Sequence, residues 1–420
     1  MAIKLVIFGL NSLRGVSRVF SLFTEWFDGG LPCYTVVQDW IVRFGLYKLS
    51  KPPQQRNDWV YVLDHTIDFG TKKCFLVLGV TLEKLRKKAF NIAHQDMEVL
   101  AVRIEESATA ESVRRTLEEV SNQTGPPAQI VSDGGKNIKR GITDFKENCK
   151  PKVRETYDIT HKAALLIEHH LTNDKNWNLL LKKIPETKRG VLHTCIAFLS
   201  PAKPRDKCRW LNLQTHLDWA EKMLRFEKQS MPAKQREKFD ARMGWLKNFK
   251  PQLREWRTML NMLETAKYEI KTHGIRRDSR KRVDTALSQF RTSTRRLRML
   301  RKEILQYVEQ QTDGIEKDET FLGCSDIIES VIGKYKSFSA KTPMKEVGKA
   351  VLTIPVFTSD VTEAEVKQAM EQISTRDLRN WLDQNIGTTL FAKRKRAFNA
   401  VRNKSSVKKL RKKWPKAANF

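Results

Sequence analysis

Three acidic residues stand where they could bind metal ions. Asp64 ends the apolar run W-V-Y-V-L-D, Asp133 ends A-Q-I-V-S-D, and Glu329 lies in S-D-I-I-E-S, which has helical spacing. An Asp that follows an apolar strand projects at the end of the sheet, where ligands bind. Two such carboxylates and a Glu from an apposed helix could hold two divalent cations about 3.5–4 Å apart, which suits attack on a phosphodiester. Because carboxylate oxygens suit Mg²⁺, the sequence predicts a site for two Mg²⁺ ions, for which Mn²⁺ can substitute.

Each acid has a competing interpretation. Asp68 follows Asp64 closely and could be the first ligand instead. Asp133 precedes two glycines, so it could simply form a turn. Asp326 comes one helical turn before Glu329 and lies near the same helix face. The residue types alone leave these alternatives open.

The elements that would position these acids follow from the period of the apolar residues. Alternating, β-branched runs predict strands, and apolar residues at helical spacing predict helices. Strands are predicted at 59–64, 74–81, 97–104, 128–133 and 153–159, and helices at 109–120 and 136–145. The order β-β-β-α-β-α-β predicts a mixed sheet with helices on its faces, in the α/β class.

Two helices are predicted before this sheet. Residues 10–27 and 34–49 have helical periodicity and flank a turn that contains Gly29 and Gly30. Such a pair is typical of a helix-turn-helix, and Arg43 on the second helix could then contact DNA bases or phosphates. An ordinary helical hairpin packed on the next domain explains the pattern equally well. Residues 51–58 contain consecutive prolines and read as a linker.

The charge of the chain is concentrated in its second half. The net charge is +30, of which residues 159–322 carry +15 and residues 323–420 carry +11. A charge of this size predicts a polyanionic partner, and the partner expected here is DNA. The tail from 393 to 416 has basic residues and no acid, which is typical of a phosphate-binding arm, although a solvated tail that aids solubility is the alternative. The arm residues named for DNA binding are Lys393, Arg394, Lys395, Arg396, Lys408, Lys409, Arg411, Lys412 and Lys413.

The second half of the sequence is predicted to be mainly helical, and the cysteines and apolar runs exclude some classes of protein. Residues 161–311 have helical periodicity without a convincing strand, their tryptophans are expected to anchor a helical core, and a further helix is predicted at 325–335. The six cysteines are scattered without paired spacing, which favours reduced buried thiols over a zinc finger or disulfides. No apolar run is long enough for a membrane span or a signal peptide. We therefore expect a cytoplasmic protein associated with the nucleoid.

The acids, in this strand order, resemble those of bacterial insertion-sequence transposases of the DDE type. In that family the catalytic domain has an RNase H-like fold, with acids at the end of strand one, at the end of strand four and on a later helix. Asp64, Asp133 and Glu329 match these places. The resemblance covers about residues 59–340. It implies that the segment between Asp133 and Glu329 holds a helical insertion.

Two shorter motifs add to the resemblance. Branches with a helical insertion often carry an Asp or Cys, two residues and then a His, as in Asp158–His161. In the IS4-like branch a Lys that contacts DNA follows the catalytic Glu at the spacing of Lys336 from Glu329. The Tyr and Arg usual upstream in that branch are replaced here, by Leu322 and Ser325.

The resemblance implies a division of the chain and a role for each part. The expected parts are 1–50 as a helix-turn-helix-like DNA-binding segment, 51–58 as a linker, 59–160 as the first part of the RNase H-like catalytic domain, 161–320 as a basic all-α insertion, 321–340 as the catalytic helix, and 341–420 as a C-terminal region with the basic tail. Asp158 and His161 would position the strand or a flipped base at the cleavage point. Lys334 and Lys336 would hold phosphates near the scissile bond.

The implied activity is DNA transposition by an endonuclease-type enzyme. The protein would bind the inverted-repeat ends of its element, cut them by metal-dependent hydrolysis and join the 3′ ends to target DNA. It would act as a homodimer bound to DNA, and no membrane partner is expected. The alternatives are an inactive DNA-binding descendant of such an enzyme and an RNase H-like nuclease that cuts without strand transfer.

Overall fold

The computed structural model describes residues 1–23, 30–67, 72–149, 152–203, 212–340 and 346–403. Side chains of 400–403 are outside the description. The chain divides into two compact units. The sheet unit comprises 1–88, 92–155 and 325–420, and the helical unit comprises 89–91 and 156–324.

The described residues form a five-stranded sheet, which belongs to the sheet unit except for the second half of its last strand. Its strands are β1 (Trp59–Ile67), β2 (Lys73–Thr81), β3 (Glu98–Glu105), β4 (Gln129–Ser132) and β5 (Arg154–Tyr157), in the spatial order β3-β2-β1-β4-β5. β1 and β2 are antiparallel, as are β2 and β3, whereas β1 and β4 are parallel. The predicted mixed sheet is therefore confirmed, and each predicted strand is found with ends that differ by at most three residues.

Eleven described helices belong to the sheet unit. They are α1 (Ala2–Ile7), α2 (Leu13–Ser21), α3 (Tyr34–Ser50), α4 (Leu82–Lys87), α5 (Ala110–Thr124), α6 (Lys136–Glu147), α14 (Asp326–Ser339), α15 (Ile354–Phe357), α16 (Glu363–Gln372), α17 (Thr375–Asn385) and α18 (Leu390–Asn403). Short 3₁₀ helices are found at His94–Asp96 and Lys349–Thr353. The sequence did not predict α1 or α4, because each is only six residues long.

The two faces of the sheet have different partners. Because side chains alternate along a strand, Tyr61 and Leu63 lie on one face and Val60 and Val62 on the other. Tyr61 and Leu63 form a core with residues of α5 and α6. Val60 and Val62 are fully buried as well, and α14 contacts β1 while α3 and α15 contact β3. These contacts place α3, α14 and α15 on the second face.

The helical unit has a core of its own. Its helices are α7 (Ile159–Leu171), α8 (Lys175–Val191), α9 (Leu213–Phe226), α10 (Ala233–Met243), α11 (Lys250–His273), α12 (Ser279–Leu287) and α13 (Arg295–Thr312). Trp177 and Trp256 are buried and meet edge to face, with ring centroids 5.2 Å apart. Trp219 is also buried, so the expected role as core anchors is confirmed for these three tryptophans. Trp245 is only half-buried, and Trp210 lies outside the described residues.

Two further expectations concern cysteines and membranes. The five described cysteines form no disulfide, but Cys33 and Cys195 are exposed, so the expectation that the thiols are buried was wrong for these two. Both occur in connections between helices, where a small side chain is not drawn into a core. Among the described helices, none combines the length and apolar character needed to cross a bilayer.

Candidate active site

Asp64 and Asp133 directly follow paired residues of the neighbouring parallel strands β1 and β4. The last register pair between these strands is Leu63 with Ser132. Asp133 follows the end of β4 as predicted, whereas Asp64 lies within β1, which continues to Ile67, so the expectation that Asp64 ends its strand was wrong. Paired residues of a parallel sheet point to the same face, and adjacent strands are about 4.8 Å apart. Asp64 and Asp133 therefore start from adjacent backbone positions, and alternation along β1 places Asp64 on the face opposite Leu63.

Asp133 is held by the turn that follows β4. Its Oδ1 accepts a hydrogen bond from the backbone N–H of Gly135 at 2.9 Å. Gly134 between them has φ of +71°, in the left-handed region that favours glycine. Gly135 is the N-cap of α6. The turn-forming role predicted as an alternative for Asp133 is real, and it also fixes the direction of the carboxylate.

His65 follows the first acid on β1. Its ring is packed against Phe75, with centroids 4.6 Å apart. Burial lowers the pKa of His65 to about 4; the charge of Lys73 acts in the same direction, and the charge of Asp133 opposes it. The imidazole is therefore neutral near pH 7, and alternation along β1 places it on the face of Leu63, opposite Asp64.

Glu329 is presented by α14, the helix that contacts β1. It is half-buried at the border of the apolar face formed by Ile328, Val331 and Ile332. Asp326 is on the same helix, and the two acids offer carboxylate oxygens within 4.8 Å of each other. Both lie in the first turn, where the helix dipole stabilises acidic side chains. Asp326 thus remains a competitor for the third position.

The three predicted acids share one unit but not one tight cluster. Asp64, Asp133 and Glu329 all belong to the sheet unit. Among the described residues, they do not form a set whose ligand atoms all lie within 4.8 Å of one another. Asp68, the alternative first acid, lies outside the described residues. As a donor set, three carboxylates on two strands and an adjacent helix fit Mg²⁺, which prefers oxygen and keeps some of its water.

Lys334 has a different environment from the one the sequence predicted. Its ammonium group donates to Nδ1 of His94 at 3.0 Å, and Nε2 of His94 lies 2.9 Å from Oγ of Ser330. Because Nδ1 accepts, Nε2 carries the proton and donates to Ser330. Burial lowers the pKa of Lys334. Lys334 therefore anchors α14 to the 3₁₀ helix that contains His94, whereas Lys336 is exposed on the same helix.

Nothing in the sequence indicates the role of His94. It lies 240 residues before Lys334 along the chain. No spacing motif links residues so far apart, and an isolated His in a short polar segment is usually a surface residue. The contact depends on the fold.

Asp158 and His161 belong to the helical unit, at the start of α7. Asp158 is fully buried, and its two oxygens accept from the backbone N–H groups of Thr160 and His161 at 3.0 and 3.2 Å. The His161 ring meets Tyr157 edge to face at 5.8 Å. Asp158 is thus an N-cap that fixes the first turn of α7 rather than a side chain exposed for DNA.

Arg43 is engaged within the sheet unit. Its Nε and Nη2 donate to the carbonyl oxygens of Ile373 and Met370 at 2.6 and 2.7 Å, and it pairs with Asp39 at 3.4 Å. The second predicted helix, α3, is itself mostly buried against α15, α16 and the segment Lys349–Thr353. A contact between Arg43 and DNA would require these bonds to break, so we assign Arg43 a structural role.

The basic arm is only partly within the described residues. Lys393, Arg394, Lys395 and Arg396 are all exposed on α18, and the Arg394 guanidinium lies over the Phe398 ring at 5.5 Å. Lys408, Lys409, Arg411, Lys412 and Lys413 lie outside the described residues. The first four can reach a phosphate backbone without breaking the packing of the unit.

Comparison with known proteins finds a distant structural likeness. No protein-family model and no curated protein matches the chain. Among solved structures, the chain is similar to one described as the Drosophila P element transposase strand transfer complex. The identity is 12% and the TM-score 0.41, over 87% of this chain and 91% of that chain. A likeness at this level establishes neither a family nor an activity.

Proposed function

We propose that this protein is a DDE transposase with an RNase H-like catalytic domain. The observation that supports the proposal is the parallel pairing of β1 with β4, whose last pair, Leu63 with Ser132, directly precedes Asp64 and Asp133. The helix that carries Glu329, α14, contacts β1. This is the arrangement that the family resemblance implies. The helical segment between β5 and α14 then corresponds to the family's insertion.

Asp64, Asp133 and Glu329 are the proposed metal ligands. Two bound Mg²⁺ ions would activate a water or a 3′-hydroxyl and stabilise the leaving oxygen of the phosphodiester. Asp326 is close enough to Glu329 to exchange roles with it.

The DNA would be held by basic residues outside the acidic site. Lys336 is exposed on the helix that carries Glu329 and is proposed to contact a phosphate near the cleavage point. His161 is proposed to act on the strand or a flipped base, with Asp158 as a positioning residue that fixes the start of α7. The helical segment, at +15, and the basic arm would supply general affinity. Cutting two ends together implies a homodimer on DNA.

The test is strand cleavage of DNA that carries the candidate terminal repeat of the surrounding element. The full chain is assayed with Mg²⁺ or Mn²⁺ and with EDTA, beside Asp64→Asn, Asp133→Asn and Glu329→Gln. Each substitution keeps side-chain shape but removes the charge that binds the ion. We expect metal-dependent nicking at the repeat boundary, reduced at least about a hundredfold in each variant, as expected when a group essential for chemistry is lost.

Asp144→Asn is the matched control, because Asp144 is a half-exposed carboxylate in the last turn of α6, whereas Asp133 precedes the start of that helix. Its activity should equal that of the wild type. Asp326→Asn decides which acid of α14 is the ligand. Binding to the repeat without cleavage under any metal would favour an inactive DNA-binding descendant, and cleavage without joining or a two-end complex would favour a nuclease.

A further inference from the structure

Two consecutive histidines of the helical unit meet one glutamate. His169 and His170 form the last turn of α7, and Glu303 lies on α13, a helix that contacts α7. Nε2 of His170 is 2.7 Å from Oε2 of Glu303, and Nδ1 of His169 is 3.6 Å from Oε1. Each imidazole thus approaches a different oxygen of the same carboxylate.

We propose that His169, His170 and Glu303 form a binding site for a divalent transition-metal ion, and that this ion is Zn²⁺. One ligand atom of each residue lies within 4.8 Å of the other two. In a tetrahedral zinc site with bonds of about 2.0–2.1 Å, ligand atoms are roughly 3.3–3.4 Å apart. Small movements of side chains would reach this geometry, without movement of the helices.

The donor set selects the metal. Two imidazole nitrogens and one carboxylate oxygen suit Zn²⁺, Ni²⁺ and Cu²⁺, whereas Mg²⁺ prefers oxygen ligands alone. The site is therefore chemically distinct from the three carboxylates of the sheet unit and does not depend on their proposed function. Ion binding would replace the short hydrogen bond between His170 and Glu303 with two metal bonds.

The surroundings leave a coordination position open. His170 is nearly buried, with 7% of its side chain exposed, whereas 66% of the His169 side chain is exposed. His169 and Glu303 also line a surface depression of about 380 Å³ together with Gln306 and Lys162. A water molecule can enter there as the fourth ligand. Lys162 is the cation in this lining, and its charge opposes a bound ion.

Binding would join the end of α7 to the middle of α13. An ion that binds only the folded protein stabilises it by mass action. The expected consequence is that the helical unit resists thermal unfolding better with Zn²⁺ than without it.

The experiment measures metal binding by the full chain with Mg²⁺ in excess, so that oxygen sites are already filled. Titration calorimetry with Zn²⁺ and the visible absorption of Co²⁺ are the two readouts. We expect one tetrahedral site in the wild type. Binding should weaken about tenfold or more in His170→Gln and in His169→Gln, and it should tighten in Lys162→Gln.

The matched control is His273→Gln. His273 faces Glu269 at 4.0 Å on α11, and the same carboxylate also pairs with a cation, Arg282, at 2.9 Å. Replacement of His273 should therefore leave binding unchanged. Both variants should fold, because the glutamine in His170→Gln can still donate to Glu303 and His169 is exposed. Circular dichroism verifies that each variant is folded. Absence of a Zn²⁺ site in the wild type, or equal affinity in the wild type and both histidine variants, would overturn the proposal.

Discussion

Lys334 donates to Nδ1 of His94 across 3.0 Å, and this bond joins the helix that carries Glu329 to the segment before β3. The pKa of His94 is lowered by burial and by the positive charge of Lys334. His94 is therefore neutral near pH 7. The hydrogen bond requires this state, because only a neutral imidazole can accept at Nδ1.

Lys334→Met should therefore have two effects. Loss of the charge should raise the pKa of His94, measured by NMR titration. Loss of the hydrogen bond should lower the free energy of unfolding by about 1 kcal/mol. Lys336→Met is the control on the same helix, because Lys336 is exposed; it should change neither quantity. An unchanged His94 pKa in Lys334→Met would show that the two groups do not interact in solution.

Gly45 on α3 is the position where added volume should matter most. A Cβ there would lie 1.7 Å from the carbonyl oxygen of Leu352, a backbone atom that cannot swing aside. Gly45→Ala should thus lower the free energy of unfolding, measured by chemical denaturation, by more than about 2 kcal/mol. In contrast, Gly333 on α14 has no atom within 4 Å of its Cβ position. Gly333→Ala should stabilise by up to about 1 kcal/mol through helix propensity.

Burial of His216 should make the folded protein less stable at acidic pH. It is buried in the helical unit beside Trp177, with ring centroids 5.9 Å apart, and burial lowers its pKa. The unfolded chain then takes up a proton near the ordinary pKa of about 6.5, while the folded chain does not. Stability is full above that pH and declines as pH falls toward the folded pKa.

Thermal unfolding between about pH 7.5 and 5 measures this effect. His216→Phe keeps an aromatic ring but cannot titrate, so its melting temperature should fall less than that of the wild type over the interval. His193→Gln, at an exposed position, should behave as the wild type does. Parallel curves for wild type and His216→Phe would contradict the prediction.

The exposed basic cluster of α18 should govern part of the salt dependence of DNA binding. Replacement of Lys393, Arg394, Lys395 and Arg396 by Ala should reduce the slope of log affinity against log salt by up to about 3.6, since each phosphate contact contributes about 0.9. Arg394→Lys with Arg396→Lys keeps the charge and should keep the slope. An unchanged slope in the Ala variant would exclude this cluster from the DNA interface.

The sequence predicted the sheet well because strands leave a strong local signal. The runs before Asp64 and Asp133 are apolar, and both prove to be buried strands. The sequence did not predict that β1 continues beyond Asp64 to Ile67, or that β1 pairs in parallel with β4. The side-chain environments could not be predicted in the same way. Arg43 and Lys334 are basic and were expected to face DNA, yet each bonds to a group hundreds of residues away in the sequence. Only the fold brings these partners together.

The interruption of the sheet unit by residues 156–324 affects how the chain can be made. β1 emerges from the ribosome early, with Val60 and Val62 on the face that α14 later contacts. That helix is synthesised only after the whole helical segment, so this apolar stripe has no α14 to cover it during most of translation. Nascent chains that stall within the segment would expose it and be prone to aggregate. Prompt folding of the helical segment on its own core would shorten the exposure.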